Sequence, residues 1–180
     1  VLAKRVRLDD QAVPGLCQVW HRDQLRLADR AVGLARRDAA EHPALFVVDV
    51  VASLAVVPFD MDALRVDAVI GASQKGLMLP PGISFNALSP RALEANKAAK
   101  LPRAFWAWDE IVEMNKTGYW PYTPNTNLLY GLAEACDMLL EPAFGGLEGT
   151  FARHRRWGEG VRAGVRAWGL EIQCNEPASY

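Results

Sequence analysis

Apolar residues fall in short dense runs over the first half of the chain and at helical spacing over the second. Ala44-Leu-Phe-Val-Val is an uninterrupted apolar run ending at Asp49, short and β-branched enough to predict a strand buried on both faces, as in a parallel sheet. Val66 to Ile70 reads as the next strand, and Ile83 to Leu88 as another. Leu2, Val6 and Leu8 give a weaker strand pattern, followed by a Val13-Pro14-Gly15 turn and a second weak pattern from Leu16 to Trp20. Helical patterns lie between. An alanine-rich run starts at Asp29, a suitable N-cap, and is stopped by His42-Pro43. Pro58-Phe59-Asp60 opens a short helical turn through Leu64. Ser89-Pro90 joins an N-cap to proline at the first helical position and predicts a helix to about Ala99.

Beyond Leu101-Pro102 the segment from Phe105 to Pro124 is rich in aromatic residues, and with prolines at 121 and 124 it reads as an ordered loop. Asn125 or Thr126 then caps a helix whose Leu128, Leu129, Leu132, Cys136, Leu139 and Leu140 form a core-facing stripe. Pro142 and Gly145-Gly146 break it. A last helix runs from about Leu147 to Trp168, with Leu147, Phe151, His154, Val161, Val165 and Trp168 as its apolar stripe and Gly169 as its C-terminal cap. Leu170 to Cys174 reads as the start of a strand. Strands alternating with helices predict an α/β layered fold.

Composition narrows the function classes. With 180 residues, 51% apolar and 23% charged, the chain can bury a sizeable core, and disorder is not expected. Twenty basic against twenty-one acidic side chains leave a net charge of -1, which points away from nucleic acid and from a polybasic membrane surface. Small-molecule chemistry and protein partners remain. Cys17, Cys136 and Cys174 show no C-x-x-C spacing, which favours a reducing compartment over a disulfide framework or a zinc site, so a cytoplasmic location is expected. His21, His42 and His154 read as structural, and no metal site is expected. The chain starts without methionine and ends abruptly at Ala178-Ser179-Tyr180, which suggests part of a longer protein.

The chemistry concentrates between Ala68 and Gly82, where an apolar strand ends in small residues, presents Lys75 and is closed by Pro80-Pro81-Gly82. Burying an ammonium is costly unless it is paired or loses its proton, and a lysine that must lose its proton to react suits such a place. The expectation is a Schiff-base lysine. An aldehyde cofactor such as pyridoxal phosphate acts as an electron sink only while its ring nitrogen stays protonated, which calls for a carboxylate beside it. Asp49, at the end of the preceding strand, is that candidate. In open α/β sheets ligands sit outside the carboxyl ends of the strands, which would bring the two residues to one crevice.

Val48-Asp49-Val50-Val51-Ala52-Ser53-Leu54, Met61-Asp62 to Val66-Asp67, Ser73-Gln74-Lys75-Gly76-Leu77, Pro80-Pro81-Gly82, and Pro121-Tyr122-Thr123-Pro124 with Asn127 to Leu132 together resemble the class V pyridoxal-phosphate aminotransferases, most of all the serine–glyoxylate and alanine–glyoxylate enzymes. The resemblance runs from about Asp29 to Tyr180. It implies a three-layer fold-type I large domain, a mostly parallel sheet with helices on both faces. It implies that residues 1–28 form a poorly matching N-terminal segment of that domain, 29–168 its cofactor-binding body, and 169–180 the start of a truncated C-terminal small domain. It also implies that Lys75 forms the internal aldimine and carries the α-proton, that Asp49 pairs with the pyridinium nitrogen, that Val51 lies on one ring face and that Gln74 reaches the phosphate. In a homodimer with shared active sites, Thr123 and an aromatic residue, Tyr122 or Trp120, would serve the neighbouring subunit's phosphate. The family's Ser/Thr-Thr-Gly loop has no counterpart between Val19 and Leu25. Rival readings are a 2-aminoethylphosphonate transaminase, a cysteine desulfurase-like enzyme, and a non-catalytic truncated remnant.

Overall fold

A run of five residues that must hide apolar side chains on both faces forms the centre of the sheet. In the computed structural model, which describes residues 2–6, 17–18 and 43–173, that run is strand β3 (Leu45–Asp49). It lies between β1 (Leu2–Val6) and β4 (Ala68–Ala72), with β2 (Cys17–Gln18) and β5 (Ser84–Leu88) outside them, in the order β2-β1-β3-β4-β5. Phe46, Val48, Val50, Val66 and Val69 form the core, and Leu54, Phe59, Met61 and Leu64 from the β3–β4 connection cover it. The alanine-rich helix expected from Asp29 lies outside the described residues, as does Cys174.

The α/β character holds, but the described strands form a mixed sheet rather than a mostly parallel one. β3 and β4 run parallel, with Asp49 opposite Ile70, whereas β1–β2, β1–β3 and β4–β5 are antiparallel. The reason at β4–β5 is the connection: the 73–83 segment contains no helix to carry the chain back for a parallel crossover. β4 also starts two residues later than the apolar pattern suggests. The Val66 N–H still donates back to Met61 O, closing the turn before the strand, and pairing with β3 begins with the Asp67 N–H on Phe46 O.

Asp67 locks the entrance to β4. Its buried carboxylate accepts the Phe46 N–H at 2.8 Å, the Ser89 hydroxyl at 3.1 Å and the Arg91 guanidinium at 2.7 Å. Arg91 in turn donates to the Pro43 and Ala44 carbonyls at 2.7 and 3.1 Å, so one carboxylate ties together the starts of β3, β4 and the next helix. That helix, α1 (Pro90–Ala98), begins as its sequence dictates, with the Ser89 hydroxyl accepting the Ala92 N–H.

The aromatic segment contains a helix where a loop was expected, α2 (Trp108–Asn115). Pro121 and Pro124 lie beyond its end, and Asp109 and Glu110 favour its first turn through the helix dipole. α3 (Thr126–Leu140) is capped by Asn125 and buries Leu128, Ala135 and Leu139, close to the expected stripe. A single 3-10 turn (Pro142–Phe144) leads to α4 (Gly146–Ala167). The apolar stripe of α4 is not buried in this chain: Val161 is 68% exposed, and Leu147 and Trp168 are also exposed, while Thr150 and Arg162 are the buried residues.

Candidate active site

Asp49 is the last residue of β3, and its half-buried carboxylate turns back on its own loop, with Oδ1 accepting the Val51 N–H at 2.8 Å. The Ser53 and Leu54 N–H groups both donate to Val50 O, which coils the chain into a helical turn directly after the carboxylate. The Val50 N–H reaches across to Ile70 O at 2.8 Å and ties this loop to β4. Among the described residues, Oδ2 of Asp49 takes no hydrogen bond. Val51 is half-buried beside it.

Lys75 stands three residues past the end of β4, on the same rim of the sheet as Asp49. It is exposed, as is Gln74, and among the described residues its Nζ has no hydrogen-bond or ion-pair partner. The expected burial of Lys75 is thus not found. β4 ends at Ala72, and the polar side chain buried in the turn is Ser73, two positions earlier than the lysine.

What surrounds Lys75 is instead tightly held, with Leu77 buried on its far side. A Cβ at Gly76 would lie 2.0 Å from Leu54 O and 2.9 Å from Val56 Cγ2, so glycine lets the lysine turn rest directly on the loop that follows Asp49. At the other end, Gly82 has φ +144, and a Cβ there would lie 2.6 Å from Leu128 Cδ1 of α3. Ala55, in the loop after Asp49, and Met78, in the loop after Lys75, both take left-handed backbone conformations, at φ 60 and 61. Such conformations are costly for residues with a Cβ and gather at functional loops. Ser73 lies inside the Ser73-Gln74-Lys75-Gly76-Leu77 motif but residue type does not disclose its burial, nor the left-handed turns at Ala55 and Met78; their signal is geometric.

Tyr122 and Thr123 lie exposed on the loop entering α3, where the Tyr122 ring stands 4.9 Å from that of Phe105. Trp120 is also exposed. Among the described residues, no hydrogen bond or ion pair joins Tyr122 or Thr123 to Asp49 or Lys75. Within one chain, the fold brings the first two predicted residues to one rim and leaves the other pair facing outward.

A family model, aminotransferase class-V, matches residues 32–148. The chain belongs to that family. The serine–glyoxylate aminotransferase of Arabidopsis thaliana is 39% identical over 184 residues, covering 100% of this chain and 45% of the plant protein. The L-aspartate–glyoxylate aminotransferase of Paracoccus denitrificans is 46% identical over 147 residues, covering 79% of this chain and 35% of its own length. Among solved structures, the alanine–glyoxylate aminotransferase of Nostoc superposes with a TM-score of 0.65 at 31% identity, over 77% of this chain and 37% of that one. The class V chain therefore has the α/β fold of the type I aminotransferases and spans less than half the length of these relatives.

The donor set of the site suits pyridoxal phosphate. It offers an amine open to an aldehyde, a carboxylate oxygen free to hold a ring N–H, and a neutral amide next to the amine. Among the described residues, no helix is long and apolar enough to cross a membrane.

Proposed function

We propose that this class V chain is the central part of a pyridoxal-phosphate-dependent aminotransferase that moves an amino group from serine or alanine to glyoxylate. The observation carrying this reading is the pair of residues at the carboxyl ends of adjacent parallel strands, Asp49 on β3 and Lys75 after β4. Pyridoxal phosphate, when bound, supplies an electron sink for the substrate's α-carbon. Lys75 would hold it through Nζ and would carry the proton at the substrate's α-carbon. Asp49 Oδ2 would keep the proton on the ring nitrogen. Val51 would support one ring face, and the Gln74 amide would donate to the phosphate.

Glyoxylate as acceptor is supported by the names of the relatives from Arabidopsis, Paracoccus and Nostoc, which share it while naming different donors. The outward placing of Thr123 and Tyr122 supports a homodimer in which they reach the neighbouring subunit's phosphate. The test uses the intact enzyme. Added pyridoxal phosphate should give a visible absorbance that Lys75→Ala abolishes, and serine or alanine should then aminate glyoxylate. Absorbance that survives Lys75→Ala, or an intact enzyme that turns over neither donor with glyoxylate, would overturn the reading.

A further inference from the structure

Ser73 is completely buried, yet it stands two residues before an exposed lysine and makes four hydrogen bonds across the neck of the lysine's loop. Its hydroxyl donates to Pro80 O at 2.8 Å and accepts the Ile83 N–H at 3.3 Å. Its backbone N–H donates to Ile83 O at 3.1 Å, and its carbonyl accepts the Leu79 N–H at 3.2 Å. The far limb of this loop cannot be held by an ordinary ladder, because Pro80 and Pro81 have no N–H to offer. The Ser73 hydroxyl takes over that task for both limbs at once. Beyond the neck, the Met78 N–H donates to Lys75 O at 2.9 Å, which closes a second, smaller turn on the lysine itself.

We infer that Ser73 is a positioning residue: its buried hydroxyl closes the 73–83 loop and thereby fixes where Lys75 presents Nζ toward Asp49. An alanine there would leave Pro80 O and the Ile83 N–H without that partner and release the neck on which the lysine turn depends. The inference rests on reading Lys75 as the cofactor lysine, and the experiment keeps the two apart.

In the intact enzyme, Ser73→Ala should speed amide hydrogen exchange across 74–83 about tenfold, a readout that needs no cofactor. It should also speed release of pyridoxal phosphate and displace the pH midpoint of its visible absorbance. Should Ser73→Ala fail to fold, Ser73→Cys keeps the shape, weakens both hydroxyl bonds and is read in the same way. Exchange that stays at the parent rate in a folded variant overturns the inference. So does faster exchange with an unmoved midpoint and release rate, since Ser73 would then serve the loop alone. Absorbance surviving Lys75→Ala overturns the cofactor reading, and this inference falls with it.

Discussion

Asp49 holds the Val51 N–H with one carboxylate oxygen, and its other oxygen takes no hydrogen bond among the described residues. Asp49→Asn can keep the first bond while removing the charge, so the fold should survive and the chemistry should not. We expect kcat/KM in the intact enzyme to fall about 100-fold with little change in melting temperature, the scale seen when one preorganised electrostatic contact is lost. Gly76→Ala should do the reverse damage. Its new methyl would meet the Leu54 carbonyl, and chemical denaturation should show a loss of about 2 kcal/mol, typical of overpacking. That Asp49 ends β3 and that Lys75 follows β4 on the same rim were legible from the sequence, because each apolar run stops just before them. Ser73 was not, since its role depends on Pro80 and Ile83 returning to it. The burial expected of Lys75 failed for a related reason: the apolar run extends to Ala72 and no further, so the lysine stands outside the strand.

Among the elements, β4 and α1 share their strongest local tie at Asp67. Removing one member of a buried, hydrogen-bonded charge pair is far more damaging than losing an exposed one, although Arg91 is half exposed here. Asp67→Ala should therefore cost about 3 kcal/mol, also abandoning the Phe46 N–H and the Ser89 hydroxyl, and Arg91→Ala less. Urea titration of the two variants would rank them. On α4, burial and the neighbouring Arg153 charge lower the pKa of His154 from its ordinary value of 6.5, so the folded state resists protonating it. Its contribution is present above pH 6.5 and is lost as pH falls through the lowered folded-state value. Stability measured across that window should fall more steeply in the parent than in His154→Gln. Helix α3 and the start of α1 were readable because their caps are local. The stripe of α4 is only partly covered, at Phe151, His154 and Val165, which was not legible because helical periodicity names a face without saying what covers it, and α2 was hidden by prolines that lie outside it.

At the scale of the whole molecule, the outward Thr123 allows a direct test of whether the intact enzyme shares its sites. In a mixed dimer of Lys75→Ala and Thr123→Ala protomers, cross-subunit service would place both lesions in one site and leave the other intact, retaining about half the activity of the parent dimer. Service within the same chain would damage both sites. The α/β class was legible from alternation of strands and helices, whereas the direction of each strand was set by connections that the pattern does not reveal. Strand β4 has a last consequence. The Asp67 network sits at its entrance and the Lys75 loop at its exit, about 17 Å apart for five residues of extended chain. Substitutions in the Asp67 network thus act a full strand length away from the Lys75 loop, and changes at the entrance rim can alter robustness without touching the lysine's own turn.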